Sequence, residues 1–124
     1  ALDPSAGPVF WKATVVEFSQ WIGLGVIANT NPSNGSYCDP TSFMWASHKQ
    51  VYGTAGAGGW DAWQAGDVAV FKLEAQRLSM RVRRLGDQTF TIDTNGAQNL
   101  RIHVNLHYNP TRVQLSRAEP GDEF

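Results

Sequence analysis

Apolar and polar residues alternate with a period of two along most of the chain, a pattern typical of β-strands with one buried face. The segment 100–106 shows it most clearly. Its apolar residues share one face and are Leu100, Ile102, Val104 and Leu106. The same pattern predicts nine strands, at 9–18, 21–28, 42–46, 48–52, 67–73, 77–83, 89–92, 100–106 and 112–116. Helical periodicity is scarce, so the pattern predicts an all-β fold.

Turn-forming residues separate these strands. The segment 29–36 consists of Asn, Thr, Pro, Ser and Gly, with no apolar residue, and 53–59 is glycine-rich. Asn95-Gly96 is a strong turn signal between two strands. Many short strands at regular spacing indicate a sandwich or barrel. We therefore expect antiparallel sheets packed face to face.

The length of 124 residues fits one domain. We expect a single β-sandwich over 1–124 with flexible ends at about 1–8 and 118–124. A formal net charge of −1 offers no field for nucleic acid, and no apolar run is long enough for a membrane helix. The arginines between 77 and 84 are expected to form a solvated face. One cysteine, Cys38, cannot form an internal disulfide, which favours an intracellular, cytoplasmic setting.

Catalytic and metal-binding patterns are weak. His103 and His107 are four residues apart, which in a strand means about 13 Å, so we expect polar-face histidines rather than a zinc site. The glycine-rich segment 53–59 lacks the helix that a phosphate loop needs. Cys38 has no basic neighbour to activate it. The sequence therefore predicts no cofactor, no metal and no enzymatic activity.

Aromatic residues near the predicted loops are better candidates for function. Trp60 and Trp63 follow the glycine-rich segment directly, whereas Tyr37 and Tyr108 border other loops. Aromatic side chains on loops supply much of the energy of protein interfaces. Trp60 and Trp63 are equally compatible with contacts to a partner and with burial beneath the loops. Tyr37 and Tyr108 are expected to be exposed.

The order of the segments resembles the SPRY domain of the B30.2 family. Segments 10–15, 21–26, 42–45 and 66–70 look like its strand motifs, and Leu73-Glu74 with 78–82 is similar to its "L-D … L-S-F-x-V" element. The segment 100–106 stands where the family has "L-Y-P-x-V" but lacks both Tyr and Pro. Arg84-Leu85-Gly86-Asp87 replaces the usual Asn-Gly. The chain is thus identified as a divergent member without a PRY extension.

The resemblance implies a bent two-sheet antiparallel sandwich that recognises a protein or peptide partner, without a cofactor, as a module of a larger protein. It also implies a binding site on edge loops. The matching residues are Tyr37, Trp45, Leu106, His107, Tyr108 and Asn109, with Trp60 and Trp63 as further loop contacts. Two alternatives stay open, which are a carbohydrate-binding sandwich with exposed tryptophans and a structural assembly domain.

Overall fold

A computed structural model of the protein describes residues 2–17, 21–31, 33, 35–53, 59–106 and 111–118. The described residues form nine strands and three short 3-10 helices. The strands are β1 Val9–Glu17, β2 Ile22–Ile27, β3 Phe43–Ala46, β4 Val51–Tyr52, β5 Val68–Glu74, β6 Arg77–Val82, β7 Phe90–Asp93, β8 Arg101–Leu106 and β9 Arg112–Ser116. The 3-10 helices are Pro4–Ala6, Ser36–Cys38 and Arg83–Leu85. The all-β class expected from the sequence is confirmed.

The strands form two antiparallel sheets that pack as a sandwich. One sheet has five strands in the order β7-β6-β5-β1-β9, and the other has four in the order β4-β3-β2-β8. β8 and β9 are consecutive in sequence but lie at the edges of different sheets. Within the described part of the chain no helix has the length and apolar character of a membrane span.

The core lies between the sheets and is built from alternate residues of the strands, as expected for a sandwich. On β1 these residues are Trp11, Ala13 and Val15, which are buried as their alternation predicts. Trp11 lies directly opposite Phe71 on β5, and the two rings stack with their centroids 5.3 Å apart. The other face of β1 carries Phe10, which is 45% exposed. The pairing of large rings across neighbouring strands therefore fixes the register of the five-stranded sheet.

The fourth predicted strand is shorter than expected. The prediction placed a strand at 48–52, but only Val51–Tyr52 pairs with β3. His48 and Lys49 have φ values of 64° and 66°, in the left-handed region. Such values suit a tight turn and do not occur in a strand. The chain therefore reverses at these two residues before β4 begins.

The outer face of the four-stranded sheet is also buried in part, because Ser33 and Ser42, between β2 and β3, contact Asn105 and His103 of β8. All six residues of β2 are buried, although alternate residues point away from the core between the sheets. Gly25 belongs to this outer set, and a Cβ atom there would overlap the carbonyl oxygen of Phe43. A second small apolar cluster, made of Trp21, Met44 and Ala46, lies apart from the main core. This sheet is therefore covered in part on its outer face as well.

Candidate functional site

Several loops meet at one end of the sandwich, which we call the loop end. Ile27, the last residue of β2, pairs with Arg101, the first residue of β8. The segment that follows β2 and the β7–β8 loop, which ends at β8, therefore lie at the same end of the sheet. The turn between β5 and β6 reaches the same end, since the backbone amide of Thr94 donates to the carbonyl of Gln76. The N-terminal segment also lies at this end, because the amide of Leu2 donates to the carbonyl of Leu100 at 2.7 Å.

The first cavity at the loop end, the Gln76 cavity, has a volume of about 570 Å³. The N-terminal segment and the β7–β8 loop form its walls. Apolar side chains of Leu73 and Leu100 line it together with the amide side chains of Gln76, Gln98 and Asn99. Side-chain amides can donate and accept hydrogen bonds. The lining therefore matches the mixed polarity of a peptide.

The second cavity, the Asp39 cavity, has a volume of about 580 Å³. It lies between the segment 38–43, the end of β4 at Tyr52 and the start of the β7–β8 loop at Thr94 and Asn95. Ala97 lines both cavities, so the β7–β8 loop forms the wall between them. The two cavities are therefore neighbours at the loop end, and together they form the candidate binding site.

Asp39 contributes a carboxylate to the second cavity. Its Oδ1 accepts hydrogen bonds from the backbone amide of Thr41 at 2.8 Å and from the Thr41 hydroxyl at 2.6 Å. Its Oδ2 accepts from Nδ2 of Asn29 at 2.9 Å. The Thr41 hydrogen bonds, followed by that of Asn29, hold the pKa of Asp39 below its ordinary value. The side chain is therefore an ionised group held in a fixed orientation by uncharged donors.

Thr94 lines the same cavity and is 1% exposed. Within the described part of the chain, its hydroxyl oxygen has no hydrogen-bond partner. Its backbone is well satisfied, because the amide donates to Gln76 and the carbonyl accepts from Ala97. A buried hydroxyl without a partner costs about 1–3 kcal/mol relative to a satisfied one. Such a group at the wall of a cavity is a candidate contact for a ligand.

A buried polar cluster lies behind the Asp39 cavity on the outer face of β8. Nδ1 of His103 is 3.4 Å from the hydroxyl oxygen of Ser42, and Nδ2 of Asn105 donates to the carbonyl of Ser33 at 3.2 Å. His103 and Asn105 lie on the polar face of β8, as the alternation predicts, but each is only 3% exposed, because Ser42 and Ser33 pack against them. Burial lowers the pKa of His103 from its ordinary value of 6.5, although the nearby charge of Asp39 opposes this.

The three tryptophans among the expected contacts lie inside the protein. Trp45 is 0% exposed, so the expectation of a surface anchor there is corrected. Trp60 and Trp63 are 5% and 2% exposed, which answers the question left open by the sequence. Their indole nitrogens donate to the carbonyls of Ala46 at 2.7 Å and Trp45 at 2.9 Å. These rings bind the segment 59–67 to β3 and present no surface to a partner.

The remaining expected contacts are not all brought together. Tyr37 belongs to the 3-10 helix Ser36–Cys38, and its side chain lies outside the described part of the structure. Leu106 is 38% exposed and lies opposite Ile22, at the end of β8 remote from the loop end. The length of β8 separates the two ends by about 17 Å. His107, Tyr108 and Asn109 lie outside the described residues.

Few catalytic arrangements occur in the described part of the chain. It contains no group of three His, Cys, Asp or Glu residues that could hold a metal ion. Ser42 and His103 approach each other to 3.4 Å, and both residues are buried, at 2% and 3% exposed. Cys38 is an exposed free thiol at the rim of the Asp39 cavity.

Sequence reasoning missed the residues that line the two cavities. Asn95-Gly96 was identified only as a turn, although the same turn separates the cavities. Asp39-Pro40-Thr41 carries a local signal, since an Asp that accepts from the amide two residues later forms an Asx-turn. This signal marks a rigid loop. It does not reveal that Thr94, far away in the sequence, lies across the same cavity.

The antiparallel five- and four-stranded sheets, joined by loops that gather at one end, define a bent β-sandwich of the SPRY type. The chain is similar to the SPRY domain of human HERC1, with a TM-score of 0.69 and 15% sequence identity. The similarity covers 92% of this chain and 77% of that one. No protein-family model matches the sequence, and no curated protein matches it. The SPRY fold implied by the sequence motifs is confirmed.

Proposed function

We propose that this chain is a non-catalytic protein-recognition module that binds a short segment of a partner protein through its loop end. The observation that carries the proposal is the pair of cavities on either side of the β7–β8 loop. Each has a volume within the range of about 300–1,000 Å³ that is usual for ligand sites. The likeness of the fold to a SPRY domain supports the same role, because the family resemblance implies protein recognition.

The chemistry of the cavities favours a peptide. The Gln76 cavity offers side-chain amides beside apolar surface from the half-buried residues Leu2, Pro4 and Ala97. Peptide groups have both donors and acceptors, and these amides can pair with either. The apolar surface can take a side chain of the partner. A segment of a few residues that crosses the β7–β8 loop would occupy both cavities.

The burial of Ser42 and His103 supports a role without catalysis. General-base catalysis requires the base and the nucleophile to lie within hydrogen-bond reach of a bound substrate. Both side chains are buried, and their contact holds Ser42 against β8. Ser42 and His103 thus stabilise the fold, and no catalytic step is assigned to them.

Of the expected contacts, Tyr37 stays part of this proposal, because its neighbours Cys38 and Asp39 line a cavity at the loop end. Leu106 lies at the other end of β8 and is not part of the loop-end site, and contacts at His107, Tyr108 and Asn109 stay an expectation from the sequence. Trp45 supports the site from within the core. The carbohydrate alternative relied on exposed rings at Trp60 and Trp63, and their burial removes that platform.

A selection from a random peptide library displayed on phage tests the proposal. We expect selected peptides to bind saturably in isothermal titration calorimetry. Gln98→Ala and Tyr37→Ala should each weaken binding by about tenfold, typical of losing one good interface contact. Gln114→Ala, on the exposed edge strand β9, is the matched control and should bind as the unchanged protein does. Failure to select any peptide, or binding that is insensitive to every loop variant, would contradict the proposal.

A further inference from the structure

The Asp39 cavity has an unusual balance of charge. Its lining residues are Cys38, Asp39, Pro40, Ser42, Phe43, Tyr52, Gly53, Thr94, Asn95 and Ala97. Among the described residues of this lining, Asp39 carries the one formally charged side chain, and none is an arginine or a lysine. The three hydrogen bonds that the carboxylate accepts come from the uncharged residues Thr41 and Asn29. The cavity therefore keeps a full negative charge.

The neutral groups of the lining add acceptors and apolar surface. The hydroxyl of Thr94 is buried at the cavity wall and lacks a partner in the described part of the structure. A hydroxyl oxygen has two acceptor positions. Phe43 and half-buried Tyr52 contribute aromatic surface. A ligand group that fits this lining has an apolar stem and a positively charged head with several donors.

Arginine is the side chain with these properties. Its stem packs along apolar and aromatic surface, and its guanidinium carries five donors and a permanent charge. Lysine has a similar stem, but its three donors all belong to one nitrogen atom, whereas the donors of arginine are spread over a planar group. Thr41 and Asn29 orient the carboxylate of Asp39 and leave an acceptor position on Oδ2, where a charged donor can form a charge-assisted hydrogen bond.

We propose that the Asp39 cavity is a specificity subsite that accepts an arginine side chain of the bound partner segment. This inference rests on the proposed function and names the chemistry that the loop end selects. The carboxylate of Asp39 pairs with the guanidinium, and the hydroxyl of Thr94 accepts a hydrogen bond from it. The Gln76 cavity, across the β7–β8 loop, then holds the neighbouring residues of the same segment.

Small probes on the unchanged protein test the subsite without a known partner. N-acetyl-arginine amide is titrated into ¹⁵N-labelled protein and followed by amide chemical shifts. We expect saturable shifts at Gly53, Thr94 and Asn95. N-acetyl-citrulline amide, which has nearly the same shape but no charge, should bind about tenfold more weakly because it loses a charge-assisted hydrogen bond. N-acetyl-lysine amide should bind between the two. Equal shifts with arginine and citrulline probes, or shifts confined to other parts of the protein, would overturn the proposal.

Variants provide the second readout. Asp39→Asn keeps the shape and an acceptor for Thr41 but removes the charge, and it should abolish the preference for the arginine probe over the citrulline probe. Asp87→Asn, at an exposed position, is the control for net charge and should leave the preference intact. Circular dichroism and thermal unfolding establish that both variants fold. If Asp39→Asn does not fold, the comparison of probes on the unchanged protein still decides.

The two proposals can fail separately. Peptides selected from the library that bind at the loop end without a basic residue, and that bind Asp39→Asn equally well, would refute the arginine subsite and leave the recognition module standing. Conversely, a saturable and charge-dependent response to the arginine probe, with no peptide selected from the library, would support the subsite and refute the peptide-binding role.

Discussion

Arg84 forms a two-pronged ion pair with the buried carboxylate of Asp67. Nε donates to Oδ1 at 2.8 Å, and Nη2 donates to Oδ2 at 3.0 Å. The Asp67 side chain is 2% exposed, whereas one third of Arg84 remains accessible. Arg84 also donates to the carbonyl of Ala62, and Asp67 accepts from the amide of Gln64. The arginine expected on a solvated face thus ties the 3-10 helix after β6 to the segment that carries Trp60 and Trp63.

Replacing this arginine should destabilise the protein markedly. In Arg84→Met the carboxylate of Asp67 stays buried without its cationic partner, and we expect the free energy of unfolding to fall by about 2–3 kcal/mol. Urea denaturation followed by far-ultraviolet circular dichroism measures this loss. Arg77→Met is the matched control, because its ion pair with Glu74 is exposed to solvent and should contribute little to the free energy of unfolding. Equal losses in the two variants would show that the Asp67 pair has no special role.

The hydrogen bonds of the buried tryptophans predict an unequal response to the same substitution. Trp63→Phe removes a hydrogen bond to the carbonyl of Trp45, whereas the indole nitrogen of Trp45 has no partner in the described part of the chain. Both changes remove a similar volume from the core. Trp63→Phe should therefore cost about 1–2 kcal/mol more than Trp45→Phe in urea denaturation. Losses of the same size would mean that the Trp63 hydrogen bond contributes nothing.

His103 makes stability depend on pH. Its pKa lies below the ordinary value of 6.5, so the unfolded chain binds a proton more readily than the folded protein does. The contribution of neutral His103 to the free energy of unfolding is fully present above about pH 7. It decreases as the pH falls through 6.5 towards the lowered pKa of the folded state. We expect the thermal midpoint to drop over this range and His103→Gln to flatten the curve. His48→Asn, in an exposed turn, should keep the slope of the unchanged protein. A slope that survives His103→Gln would assign the effect to another group.

Gly25 should tolerate no side chain. A methyl group at this position would overlap the carbonyl of Phe43 on the neighbouring strand, and backbone atoms of β3 cannot move away without breaking the pairing. Gly25→Ala is therefore expected to cost about 3 kcal/mol, as strong overpacking does. Gly35→Ala is the control, since a methyl group there meets only the hydroxyl oxygen of Ser33 at 3.9 Å. Thermal unfolding of the two variants compares them directly, and a stable Gly25→Ala protein would contradict the close contact.

The sequence predicted the strands well and the surroundings of single residues less well. β9 was predicted with its observed bounds, Arg112–Ser116, because alternation is a local property of the chain. The sequence pattern placed His48 and Lys49 in a strand. Their left-handed backbone could not be predicted from it, because the turn between β3 and β4 imposes this conformation and the two residues do not prefer it themselves.

Burial at the candidate site depends on parts of the chain that are distant in sequence. His103 alternates with apolar residues, which places it on the polar face of β8 but does not show that this face is buried by contact with Ser42. The position of Trp60 likewise depends on a carbonyl of β3. The two cavities need loops from both sheets, so no local pattern could reveal them. The SPRY resemblance gave the order of the strands without this detail.

The pairing of β1 with β9 has a consequence for how the domain can be built into other proteins. Lys12, near the start of the first strand, lies opposite Ser116, at the end of the last one, so the polypeptide enters and leaves the sandwich on adjacent strands about 5 Å apart. A unit with neighbouring entry and exit points can be inserted into a surface loop of a host while barely displacing the two sides of that loop. It is equally suited to circular permutation, with a short linker across this gap and new ends in an exposed turn.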